Sequence, residues 1–166
     1  MKLELEPLEK GDFTKIRGWI DPAIFHIFKA PVDNKQLEML LSKYSNDVPT
    51  ELGMRAIDMD KSKIVGIVHA ILNFENDLMH IQQIVVDPAC RSQGYGSAIL
   101  KCFIDHCLAN YKLHRIQLFT EENNKAAIFC YSKVGFKVDG ILRDRVKTRD
   151  GYLSTYVFSI LRDEWE

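Results

Sequence analysis

The stretch Val85–Cys107, VVDPACRSQGYGSAILKCFIDHC, decides how the chain is read. It begins as an apolar strand, breaks at Asp87-Pro88, passes two glycines spaced one apart, and runs straight into a helix. In that helix Ile99, Leu100, Phe103, Ile104, Cys107 and Leu108 recur at helical spacing. The first amides of a helix have no intrahelical partner, and its dipole favours an anion at that end. Glycines there let the backbone approach a phosphate without Cβ collisions. A Walker loop is excluded, because Gly96 is followed by Ser97-Ala98 and not by Lys-Ser/Thr. A dinucleotide fingerprint is excluded too, since its third glycine position holds Ile99 and the loop lies mid-chain. What remains is Arg91-Ser92-Gln93-Gly94-Tyr95-Gly96, an Arg-x-x-Gly-x-Gly loop between a strand and a helix, with Arg91 able to add charge-assisted hydrogen bonds to a pyrophosphate.

Outward from this loop the chain alternates short strands and helices. Residues 2–6, 52–58, 63–73, 78–87 and 114–120 read as strands, and MDKSK forms the turn between the second and third. Asp12 is expected to cap a helix through about Ile20, and Asp33 or Asn34 to open another with Leu37, Leu40 and Leu41 as its stripe. Between these helices, DPAIFHIFKAPVDN (21–34) reads as an irregular apolar loop with two prolines. NNKAAIFCYSKVG (123–135) is a helix with an Asn cap and a Gly stop. FKVDGILRDRV and YLSTYVFSIL are two last strands around the turn TRDGY. The order points to an α+β or α/β fold.

Composition narrows the function. The chain has 166 residues, enough for a real core in one domain, with 46% hydrophobic and 27% charged residues. A net charge of −1 gives no global field for nucleic acid or an anionic membrane. No apolar run is long enough to span a bilayer, and the N-terminal stretch lacks the apolar core of a signal peptide. Cys90, Cys102, Cys107 and Cys130 form no CxxC pair and meet no His at zinc spacing, so free thiols, no metal and a cytoplasmic location are expected.

A second motif joins the first. Asn124 is followed by Ala127, Tyr131 and then Gly135-Phe136, and the intervening helix and strand give the spacing between the two motifs. Together they make residues 63–160 resemble the GNAT superfamily of acetyl-CoA-dependent N-acetyltransferases, and the tail resembles the branch with ribosomal-protein N-terminal and polyamine acetyltransferases. The resemblance implies a single domain over residues 1–166, with a mixed sheet of about seven strands splayed between two parallel strands and flanked by about four helices. It implies that acetyl-CoA binds in the splay, its pantetheine arm bonding the backbone of Ile84, Val85 and Val86 as an added strand. The pyrophosphate would lie on Arg91, Ser92, Gln93, Gly94, Tyr95, Gly96 and Ser97, with Asn124 nearby. The acceptor would be a small amine or a peptide N-terminus, arriving between 21–34 (Phe25, His26, Phe28) and the last hairpin (Asp139, Arg143, Asp144); pairing into a homodimer is compatible with the fold.

The chemistry requires a neutral amine to attack the thioester and a thiolate to leave. Tyr131, at the family's position, can donate to the sulfur because a phenol stays protonated at neutral pH. The Val86 amide can polarise the carbonyl. Where many relatives carry Glu, this strand has Gln82 and Gln83, which do not titrate. If the strand is unbulged, His80 shares the face of Gln82 and has a pKa suited to a base, with a water chain as the alternative. A non-catalytic acetyl-CoA sensor and a nucleotide-binding module are the competing readings, the first supported only by the missing carboxylate.

Overall fold

The computed structural model describes residues 1–19 and 50–165. The expected loop 21–34 and the helix beginning near Asp33 lie outside them. Seven strands form one sheet: β1 (Leu3–Pro7), β2 (Glu51–Asp58), β3 (Lys63–Asn73), β4 (Leu78–Val86), β5 (Arg115–Glu121), β6 (Lys137–Lys147) and β7 (Tyr152–Leu161), in the order β1-β2-β3-β4-β5-β7-β6. All neighbours are antiparallel except β4 and β5, which run parallel. Among the described residues the α-helices are α1 (Phe13–Ile16), α2 (Tyr95–Asn110) and α3 (Lys125–Val134). This is the α+β class expected, with a mixed sheet.

The first helix is a correction. In place of one helix to Ile20, the chain makes 3-10 turns at Lys10–Asp12 and Arg17–Trp19 around the single turn α1. Asp12 reaches back along the chain and across to β2. Its Oδ2 accepts from the Glu9 amide at 3.0 Å and from Arg55 Nη1 at 2.8 Å. With that carboxylate committed and Gly18 inside the next turn, little favours a continuous helix.

The main core lies between the sheet and α2 and α3. Ile99, Leu100, Phe103 and Ile104 of α2 meet Ile116 and Leu118 of β5 and Phe158 of β7, all essentially removed from water. At roughly 1.5–3 kcal/mol for each such side chain, this face holds the sheet to its helices. A smaller cluster of Leu8, Ile16 and Ile67 covers part of the opposite face, with Trp19 and Val85 against it. Gly66 of β3 is fixed by space. A Cβ there would lie 2.5 Å from Ile99 Cδ1 and 2.9 Å from the Val85 carbonyl oxygen, so only glycine lets α2 lie this close to the sheet.

Two irregularities position the site. Ala70 pairs with Ile81 but His69 with Gln83, so Gln82 is an extra residue and β4 carries a bulge. The strict alternation of an unbulged strand is therefore broken: Met79, Ile81, Ile84 and Val86 all belong to the main core, and His80 shares the other face with Gln83 and Val85. The second irregularity is that β4 and β5 pair only from Leu78↔Arg115 to Ile81↔Leu118. Beyond that β4 stays with β3 and β5 with β7, and the two parallel strands part.

Candidate active site

The parting strands and the start of α2 form one continuous cleft. Val86 leads into a 3-10 turn, Pro88–Cys90, capped by the Asp87 side chain on the Ala89 amide at 2.9 Å. Asp87 is itself held by Lys63 Nζ at 2.7 Å. Gly94 then sits at φ +86, a left-handed conformation that a side chain resists, and no side chain caps the helix it opens. The first bond of α2 runs from the Ala98 amide to the Gly94 carbonyl at 3.1 Å, so the amides of Tyr95, Gly96 and Ser97 stand ahead of the helical ladder. That is the arrangement an anion needs.

The side chains of the loop mostly brace it. Tyr95 is buried, donating to Asp58 at 2.5 Å and accepting from Lys61 Nζ at 2.9 Å, so only its backbone faces a ligand. The Tyr95 hydroxyl holds the Asp58 carboxyl below its ordinary range. Arg91 donates from Nε to the Val86 carbonyl at 3.3 Å and from Nη2 to the Trp19 carbonyl at 3.1 Å. Gln93 donates to the Ala89 carbonyl at 2.9 Å. Ser92 is exposed at φ +59, and Ser97 Oγ lies 3.4 Å from Cys130 Sγ.

The cleft wall offers backbone that β5 does not pair. The Val85 carbonyl faces β3, being the atom a Cβ on Gly66 would strike. Backbone groups alternate sides along a strand, so those of Ile84 and Val86 face the place that β5 has vacated. Of the three residues expected to bond a pantetheine arm, Ile84 and Val86 face the splay, while Val85 turns its backbone to β3.

Tyr131 stands on α3, packed against the main core. Asn124 Oδ1 caps the helix by accepting from the Ala127 amide at 3.2 Å. Gly135 ends it at φ +118, and the Phe136 amide returns to the Tyr131 carbonyl at 3.1 Å. The spaced Asn, Ala, Tyr and Gly-Phe thus make one capped helix with its tyrosine at a fixed height. Phe158 meets the Tyr131 ring edge-on at 5.7 Å and Phe136 lies at 6.2 Å. Burial, with smaller contributions from Cys130 and Glu121, pushes the phenol well above its ordinary pKa. It is a donor at any neutral or mildly alkaline pH.

On the face away from α2 and α3, His80 packs on Phe119 with ring centroids 4.6 Å apart. Burial, and then the nearby Arg145, lower the His80 pKa, so its imidazole is neutral at neutral pH and can accept a proton. One strand over, His69 Nε2 lies 3.3 Å from Glu51 Oε2, and His69 pairs with Gln83 at the bulge.

A sequence profile of the acetyltransferase (GNAT) family matches residues 19–136, more than half the chain and both motifs. The chain belongs to the GNAT family. That membership makes it an N-acetyltransferase in class. A spermidine N(1)-acetyltransferase of Escherichia coli strain K12 is 24% identical over 84% of this chain and 75% of its own length. A spermine/spermidine N(1)-acetyltransferase of Bacillus subtilis is 34% identical, but over only 41% of this chain and 45% of its own. Among solved structures, a spermidine N-acetyltransferase from Vibrio cholerae in complex with CoA and spermine superposes with a TM-score of 0.85 at 24% identity, covering 98% of this chain and 96% of that one. Identities this low carry the fold.

As a GNAT chain it holds site features that the motifs did not signal. Phe119 is the first β5 residue past the last β4 pair, and Glu121 stands two residues beyond it at the end of the strand. Arg145 reaches over Phe119 from β6, its Cζ 4.9 Å from the ring centroid. Only the point at which two parallel strands separate makes these positions special, and that point leaves no pattern in the sequence.

Proposed function

We propose that the chain moves the acetyl group of acetyl-CoA onto a primary amine, of a small molecule or a peptide N-terminus, by direct attack in a ternary complex. The observation that carries this is the splay: four paired residues, then backbone of Ile84 and Val86 that β5 does not pair, with the Val86 carbonyl accepting from Arg91, near free helix-start amides and the helix that bears Tyr131. Gly94 and Gly96 leave room at the helix start for a pyrophosphate, and the β4 edge suits an amide-bearing arm laid along it as a strand. The Val86 amide polarises the thioester carbonyl. The amine nitrogen forms the new C–N bond as the C–S bond breaks, and Tyr131 protonates the departing sulfur. Of the two protons an ammonium loses, one ends on the thiol and the other passes through a base to solvent.

His80 is the base this reading favours, since it is neutral and lies on the acceptor side of β4. Its pKa is lowered, so the rate should rise through an inflection below 6.5 and then level. Removing the ring in His80→Ala should erase that inflection and lower kcat; a pH–rate profile that matches wild type would assign the proton to water or another group.

The reading itself is tested by thiol release from acetyl-CoA across a panel of amines, together with thermal-shift protection by CoA. Protection without turnover of any amine would favour an acetyl-CoA sensor instead. Protection by ATP or NAD but not by CoA would overturn acetyl-CoA chemistry altogether.

A further inference from the structure

The acceptor face of the cleft carries a pair of opposite charges that cofactor binding does not use. Arg145 is placed there by a bulge in β6: Leu142 pairs with Thr155 and Val146 with Leu153, so residues 143–145 stand against Ser154 alone, with Asp144 at φ +50. The guanidinium lies on the outer face of Phe119, whose ring also packs on His80. It forms no ion pair among the described residues. Glu121 is half-buried on the same face, and its charge is felt at Tyr131. Thr155 pairs with Glu121 across β5 and β7; it is buried, and its Oγ1 has no hydrogen-bond partner among the described residues. A buried hydroxyl without a partner is unusual and fits a site that a polar ligand completes.

Resting on the acetyl-transfer reading, we infer that the acceptor is an amino-carboxylate, an amine whose own carboxylate is bound by Arg145 and the Thr155 hydroxyl while Glu121 holds the ammonium beside Tyr131. A guanidinium is suited to this role, since its planar fork matches a carboxylate. The same geometry disfavours a polyamine. A second ammonium would face an unneutralised cation, and the ring face that could have held it is taken by Arg145.

The test measures initial rates of thiol release for the common amino acids, their methyl esters and spermidine, with the full chain. Free acids should exceed their esters by about tenfold or more in kcat/KM. Arg145→Ala should raise the KM for the acid by a similar factor, remove the preference over the ester, and leave the KM for acetyl-CoA in place. Arg145→Lys should retain part of the preference, which separates loss of charge from loss of fold. Equal rates for acid and ester, or turnover confined to spermidine, would overturn the amino-carboxylate while sparing acetyl transfer. Failure of every amine would overturn both.

Discussion

Replacing Tyr131 by Phe should lower kcat about a hundredfold while the Kd for acetyl-CoA stays constant. The size follows from the leaving group. An ordinary thiol has a pKa of about 8.5, so the departing thiolate is already fairly stable, and proton donation helps less than it would for an alkoxide. The effect should therefore sit near the lower end of general-acid contributions, roughly 10²–10⁴. The ring stays, so the edge contact with Phe158 and the packing on Phe136 survive in the variant. Because burial raises the phenol's pKa, the loss should not vary across the neutral range, and no alkaline limb should belong to this residue. Wild-type turnover in the Phe variant would remove Tyr131 from the mechanism. A matching loss of CoA affinity would make it a packing residue.

Gly96→Val should abolish detectable acetyl-CoA binding in a chain that still folds. A Cβ at this position would lie 3.4 Å from Cys130 Sγ and 3.8 Å from Val86 Cγ2, in the gap between the start of α2, the end of β4 and α3. That gap joins the open amides to Tyr131, and the valine methyls would fill it. The strain on the fold is modest, because the nearest atom is the thiol end of a side chain and the backbone of Gly96 needs no left-handed conformation. A loss of a thousandfold or more, about 4 kcal/mol, is expected in calorimetry with CoA. Gly96→Ala, which adds the Cβ alone, should lose much less. Unchanged affinity in a folded Gly96→Val protein would disconnect the loop from the cofactor.

Much of this site could be read before the structure because it is built from local chemistry. A left-handed glycine ahead of an uncapped helix, or an Asn cap followed by a tyrosine and a glycine stop, is fixed by neighbours a few residues away, and both appear where the sequence places them. The strands from β2 onward were legible for the same reason, YLSTYVFSIL matching β7 at both ends. What failed depends on partners far along the chain. Nothing near Asp12 reveals that Arg55, 43 residues on, takes its carboxylate, so the expected first helix is broken into turns. The bulge at Gln82 is set by register against β3, and it brings Gln83 onto the face of His80. Arg145 stands over Phe119 only because β6 is out of step with β7 by two residues. The partners of the loop's own side chains were not legible either. Arg91 donates to the Val86 and Trp19 carbonyls and Tyr95 to Asp58, partners that lie outside the loop.

The short pairing of β4 with β5 also bears on how the protein should be handled. Past Ile81 and Leu118 the two strands no longer pair with each other, so among the described residues the sheet has a seam at its centre. Such a seam is a template for any extended peptide, including a neighbouring molecule's, and exposed edges of this kind promote association. Filling it with CoA should slow amide hydrogen exchange along residues 82–86 and suppress aggregation on storage, through the same backbone groups. The cosubstrate would then act as a missing strand, and solubility would follow its concentration.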